Sequence, residues 1–252
     1  MKFSKITHRF FTYLISIYAI GFFGCTSETS LLESYYFPLE ALQQGVVYEY
    51  RPVQSDSLPP EYWYFRSFLT DTASFLAGQY INDAFEVGQF ILEEKVSNGM
   101  RLKKCVIAVP DTSGRLQQID TEVVSGAAFP FTVKDSLSVF FYQLKWNDPQ
   151  SPGRVTTLTR NVRFFGTIPC EVFGDAAICA HLGGRELIAV DEDGVLELEY
   201  DYDQHFAEGI GLIWYRKQIS EDFIMEYALK DTFGMAEFEE RFGPALDPDF
   251  SL

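Results

Sequence analysis

Between positions 196 and 203 apolar and acidic residues alternate without a break: Leu196, Leu198, Tyr200 and Tyr202 on one side, Glu197, Glu199, Asp201 and Asp203 on the other. A period of two sends these sets to opposite faces of an extended chain, which makes an antiparallel strand with one face buried and one in water. Phe223, Met225, Tyr227 and Leu229 repeat the alternation against Ile224, Glu226, Ala228 and Lys230. Further strand candidates are 46–51, 62–69, 90–96, 100–109, 115–124 and 186–190. Turn signals separate them. Asn98-Gly99 suits the two positive-φ positions of a type I′ hairpin, and Asp111-Thr112-Ser113-Gly114 and Asp191-Glu192-Asp193-Gly194 are rich in turn formers. The stretch 144–160, with Asp148-Pro149 and Ser151-Pro152-Gly153, reads as a loop. Only 235–242 reads as a short helix. An aromatic content of 16% favours sheet. Hairpin spacing without long helical segments predicts an all-β protein: a single antiparallel, strongly curved sheet, a half-barrel or incomplete barrel, with few short helices.

The amino terminus carries a different message. Lys2, Lys5 and Arg9 precede an apolar run over 10–23, too short to span a bilayer comfortably, and small Gly24 stands before Cys25. Basic head, apolar middle and small residue form the order of a secretory signal. A cysteine directly after the cut resembles the lipobox of bacterial lipoproteins, although Phe22 and Phe23 stand where leucine and a small residue are usual. The resulting division is a signal peptide at 1–24, lipidation at Cys25, a tether over 25–34, a β domain over 35–230 and a tail with a short helix over 231–252.

Cleavage would remove three of the 20 basic residues and none of the 36 acidic ones, leaving a formal charge of about −19. Such a surface repels phosphate backbones and anionic headgroups, so no nucleic-acid partner is expected and membrane attachment must come from the lipid. An exported chain meets oxidising conditions. Cys170 and Cys179, nine apart, are candidates for a disulfide, with buried thiols as the alternative; Cys105 completes an odd set. His181 and His205 are too few for a histidine-rich metal site, and zinc spacing is missing.

Candidate chemistry is sparse. The ladder from Glu197 to Asp203 supplies no converging oxygens for calcium and reads as a solvated face. The turn at 191–194 lacks the order of a calcium loop. His181 or His205 could serve as a general base only with a nucleophile and carboxylate brought from elsewhere, and no nucleophile elbow is present. Tyr62-Trp63-Tyr64-Phe65 reads as core, with a stacking platform for sugar or lipid as the alternative. Gly209-Ile210-Gly211-Leu212 lacks the third glycine of a dinucleotide loop and fits a bulge or a close strand approach. No catalytic residue, cofactor or metal is expected.

Phe37-Pro38-Leu39, Gly45 and Tyr48-Glu49-Tyr50 near the start, with Gly209-Ile210-Gly211-Leu212 and a final strand at 223–229, resemble a set of uncharacterised Bacteroidota lipoproteins. The resemblance implies a curved antiparallel sheet and transfers no active-site residue. With it, the expectation is a non-enzymatic, lipid-anchored envelope protein with a binding or assembly role, its partner a protein, lipid or glycan. A half-barrel lipid carrier or assembly factor is the alternative, and an envelope hydrolase a further one. Only Glu28 interrupts 26–30 with a charge, whereas surface lipoproteins of that group often carry an acidic run there. The lean is to the periplasmic face of the outer membrane.

Overall fold

The computed structural model describes residues 29–54, 57–135 and 137–243. Cys25, the segment 1–24 and the end of the tail lie outside them. A two-stranded ribbon pairs β1 (Ser30–Leu31) with β9 (Thr132–Val133). The main sheet is antiparallel. It comprises β2 (Val46–Pro52), β3 (Glu61–Leu69), β4 (Ser74–Ile81), β5 (Val87–Val96), β6 (Gly99–Pro110), β7 (Leu116–Asp120) and β8 (Glu122–Pro130). It continues through β10 (Phe140–Asp148), β11 (Ser151–Val172), β12 (Asp175–Asp191), β13 (Val195–Ala207), β14 (Gly211–Gln218) and β15 (Ile224–Phe233). Their spatial order is β5-β4-β3-β2-β15-β14-β13-β12-β11-β10-β8-β6, and β6 pairs back onto β5.

The curvature legible in the sequence is therefore carried to closure, giving a twelve-stranded barrel among the described residues. Large twisted sheets curl because each strand pair adds rotation, and closure leaves no long unpaired edge. Register shifts supply the bends, among them those at Phe164/Gly166, His205/Phe206 and Leu229/Asp231. β7 lies outside the ring order, beside the far half of β6, whose first residues pair with β8 instead.

Three local expectations change. The β5–β6 register pairs Val96 with Gly99, so the connection is Ser97-Asn98 and Gly99 opens β6. Gly99 faces Pro130, and a Cβ there would lie 2.2 Å from the Phe129 carbonyl oxygen. The glycine serves close approach to β8, which outweighs its turn preference. The expected loop over 144–160 is two long strands joined at Pro149-Gln150. The strand expected over 115–124 breaks at Thr121, whose N–H and hydroxyl both bond the Cys105 carbonyl.

Twelve strands enclose more space than wall side chains fill. Residues 32–45 take up part of it, crossing one end of the barrel as a plug. Leu32, Tyr36, Phe37 and Leu42 are buried among Tyr48, Phe65, Phe129 and Phe206. Backbone bonds seat the plug: Leu32 to Phe131 (2.8 Å), Gly209 to Ser34 (2.9 Å) and Ser67 to Leu42 (3.1 Å). Residues 30–34, expected as tether, are thus docked, because Ser30 and Leu31 have strand partners and Leu32 is 1% exposed. Helix α1 (Met235–Phe242) covers the residues expected to be helical and packs outside the barrel, where Phe238 is buried against Tyr62, Val47 and Ile81.

Candidate functional site

Alternation along β2 points Tyr48 and Tyr50 into the barrel, where they meet a gap in the hydrogen-bond ladder. β15 pairs with β14 only from Trp214 to Gln218 and then turns to β2, so the carbonyls of Ile210 and Leu212 have no strand partner in β15. The hydroxyls of Tyr48 (2.9 Å) and Tyr50 (2.8 Å) bond those two carbonyls. Buried carbonyls need a donor, and tyrosine is long enough to supply one across the lumen. Phe37 of the plug lies on Gly211 between them.

Beyond the plug the lumen keeps a cavity of about 350 Å³. Its lining is graded along the axis, and the strands show why. β3 contributes Glu61, Trp63 and Phe65 in succession, β4 contributes Tyr80 and then Leu76, and β14 contributes Lys217, Tyr215 and Leu212. On these three strands the wall turns from charged to aromatic and aliphatic towards the plug, while on β5 Glu93 brings a carboxyl up to Tyr36 of the plug.

The charged part is built on Glu186. Its carboxylate accepts hydrogen bonds from Arg160 Nε (2.6 Å) and Nη2, from Lys217 Nζ (3.0 Å) and from the Tyr200 hydroxyl. Register explains the meeting, since Arg160 and Tyr200 stand directly opposite Glu186 on β11 and β13. Burial works against ionisation of Glu186, but Arg160 and Lys217 hold its pKa down to about 2. Burial also disfavours the charge on Arg160, and the Glu186 carboxylate more than restores it. The guanidinium sits between the rings of Tyr142 (5.4 Å) and Tyr202 (5.0 Å). Tyr202 is 2% exposed, and its hydroxyl has no hydrogen-bond partner.

Two more carboxylates flank this centre. Glu93 accepts the Tyr36 hydroxyl; burial pushes its pKa up to about 7, with that bond and Arg160 offsetting part of the rise. Glu61 accepts the Tyr215 hydroxyl and is likewise raised by burial, against the pull of Tyr215 and Lys217. The lumen thus holds two cations, one saturated carboxylate and two carboxyls that resist ionisation. The Arg160 and Lys217 side chains are 25% and 28% exposed, so solvent reaches them.

The residues singled out in the sequence lie elsewhere. Cys170 and Cys179 are bonded across the β11–β12 hairpin with Cα atoms 5.9 Å apart. Cys105 is a buried free thiol, its pKa raised by burial, the opposite of what a nucleophile requires. His181 and His205 stand on the outer wall, out of phase with the inward Leu182 and Phe206. His181 Nε2 lies 2.8 Å from Asp203 Oδ1, and His205 stacks on Trp214 at 4.2 Å. Burial and the neighbouring His181 lower the pKa of His205 to about 4, Asp203 opposing, so it is neutral at pH 7. The rings around this pair are Phe165 and Trp214, which offer no nucleophilic oxygen. The acidic ladder is also external, with Arg185 near Glu199 (3.3 Å) and Asp201 (3.6 Å). Of the aromatic cluster, Trp63 and Phe65 line the lumen, while Tyr62 lies under α1. Among the described residues no His, Cys, Asp or Glu cluster has the makings of a metal site.

Glu61, Glu93, Arg160, Glu186 and Lys217 escaped sequence reasoning. Their signal is a charge in the apolar phase of a strand: Arg160 falls in step with Leu158, Val162 and Phe164, and Glu186 with Leu182 and Ile188.

The barrel is similar to solved structures from two bacteria. A provisionally named exported protein with a YmcC-like fold from Bacteroides fragilis matches with a TM-score of 0.50 at 7% identity, covering 79% of this chain and 98% of that one. A provisionally named lipoprotein from Parabacteroides distasonis matches with a TM-score of 0.48 at 11% identity and the same coverages, 79% and 98%. No protein-family model and no curated relative matches the sequence. At such low identity the likeness to the first structure is one of fold: an antiparallel barrel of the YmcC-like kind.

Proposed function

We propose that this chain is a lipid-anchored, non-enzymatic protein of the bacterial envelope whose barrel binds a small amphipathic molecule. The observation that carries the reading is the lumen: a closed wall around a cavity of about 350 Å³, lined by both aromatic and charged side chains. That volume falls at the small end of ligand pockets, which span roughly 300–1,000 Å³. It suits one small ligand better than a two-chain membrane lipid, which favours a binding protein over a lipid carrier. The signal-like amino terminus and Cys25 support the anchor, and a fold shared with an exported protein is in keeping with that location. The outer membrane, periplasmic side, is the compartment proposed. The Cys170–Cys179 bond fits an oxidising compartment.

Native mass spectrometry of the protein extracted from its own membranes tests both parts. The expected result is an acylated Cys25 at the amino terminus together with a non-covalent small-molecule adduct. An unmodified terminus or an intact leader ends the anchor. An adduct that survives Ala128→Trp, a substitution that fills the lumen, ends the binding assignment.

A further inference from the structure

The charge arrangement inside the barrel narrows the class of ligand. Glu186 is consumed: its two oxygens already take Arg160, Lys217 and Tyr200. Two cations share that single carboxylate, and the other acids of the cavity, Glu93 near Arg160 and Glu61 near Lys217, are each bonded to a tyrosine hydroxyl. Both cations line the cavity. The Tyr202 ring packs on the Arg160 guanidinium at 5.0 Å and helps hold it in place, without lining the cavity itself. Two solvent-reached cations on one saturated carboxylate are the complement of an oxyanion. The same cavity is lined by Phe65, Leu76, Phe129 and Leu212, an apolar surface with room for one short chain.

We propose that the lumen binds a single-chain amphiphile with an anionic carboxylate head, the head on Arg160 and Lys217 and the chain directed at Phe65, Leu76, Phe129 and Leu212. This rests on the lumen being the binding site and adds the sign of the head group. A cationic amphiphile would have to rely on Glu61 and Glu93, each already engaged by a tyrosine hydroxyl and raised in pKa by burial. The pH dependence follows. Glu93 faces Tyr36 on the plug and Arg160 on β11, with Tyr142 of β10 beside that arginine. As the pH rises through about 7 it ionises and competes for Arg160. Anion binding therefore weakens from pH 6 to pH 8.

The test uses the full chain in phospholipid nanodiscs, with empty nanodiscs as blank, titrated with carboxyl-labelled octanoate, octylamine and octanol. Octanoate is expected to bind at least tenfold tighter than the other two, and several-fold tighter at pH 6 than at pH 8. Arg160→Gln and Lys217→Gln should each weaken it about tenfold, while octanol binding is unmoved. Should either charge variant fail to fold, Lys217→Arg, which keeps the charge, must retain octanoate binding. Octanol or octylamine binding as tightly as octanoate, and blocked by Ala128→Trp, overturns the head-group assignment and leaves the lumen reading standing. Octanoate binding that Ala128→Trp does not touch, or no binding by any of the three, overturns the proposal.

Discussion

The ring of Phe37 lies so close to Gly211 that a Cβ on the glycine would come within 2.5 Å of Phe37 Cδ1. Residues 174 positions apart in sequence are thereby locked at the base of the barrel, one from the plug and one from the start of β14. Gly211 also has a φ of +101°, a conformation that L side chains rarely adopt. Gly211→Ala is expected to cost about 2–4 kcal/mol, from overpacking and backbone strain together. Adding Phe37→Leu should return the overpacking part and leave the strain. Denaturant unfolding of the double-mutant cycle measures this, and strictly additive single effects would mean the plug does not sit on the glycine.

Removing Glu186 leaves Arg160 and Lys217 facing each other inside the wall. Breaking a buried ion pair from one side costs about 3–5 kcal/mol, and partial exposure of both cations brings the expectation for Glu186→Ala to about 2–3 kcal/mol at pH 7. A carboxyl held down to about 2 stabilises the fold above its unfolded pKa, and that stability is lost as the pH falls through about 2. Glu186→Gln should flatten the acid limb of the stability curve between pH 4.5 and 2. An unchanged acid limb would show that the cations do not depend on this carboxylate.

Glu93 works in the opposite direction. With its folded pKa near 7, the native protein holds this proton more tightly than the unfolded chain does. Its contribution is therefore complete below about pH 4.5 and lost as the pH rises through 7. Glu93→Gln keeps an acceptor for the Tyr36 hydroxyl and cannot ionise. The variant should melt with the wild type at pH 4.5 and be more stable by about 2–3 kcal/mol at pH 8. Equal stability at both values would place the ionised carboxylate in water rather than against Tyr36.

The β11–β12 hairpin projects past β13, whose last residue, Ala207, pairs with Cys179. Its tip turns at Phe173-Gly174, both with positive φ, as a type I′ turn requires. The disulfide closes a loop of sequence separation 9, worth about 2–3 kcal/mol of chain entropy. That stabilisation is expected to act on the tip, which meets the barrel through Val172 and Cys179 packed on Ala207 and Ile213. Cys170→Ser with Cys179→Ser should speed amide exchange over 169–178 by roughly 30–100-fold and leave protection in β2 and β14 unchanged. A uniform loss of protection would mean the hairpin is part of the global folding unit.

Tyr50→Phe removes the donor to the Leu212 carbonyl where β15 leaves β14. The expected cost is about 1–2 kcal/mol, with faster exchange confined to 210–213. No change in either would show that another donor serves this carbonyl.

Alternation along β13 and β15 was enough to predict antiparallel strands with one buried face, because which face is buried is written in every second residue, and the hairpin spacing without long helices added the curvature. The Phe37-Pro38-Leu39, Tyr48-Glu49-Tyr50 and Gly209-Ile210-Gly211-Leu212 segments were visible as motifs, but not that they converge on one another. Closure was decided by β5 meeting β6, a pairing with no local signature beyond the turn, and the Asn98-Gly99 turn itself moved one residue once β8 needed Gly99. The lumen network was hidden for a related reason. Arg160, Glu186 and Lys217 are each an ordinary charged residue along the chain, and only the register of β11, β12, β13 and β14 brings them onto one buried carboxylate. Local periodicity thus determined the wall, whereas the interior depended on long-range pairing that places residues far apart in sequence against the same few ångströms of space.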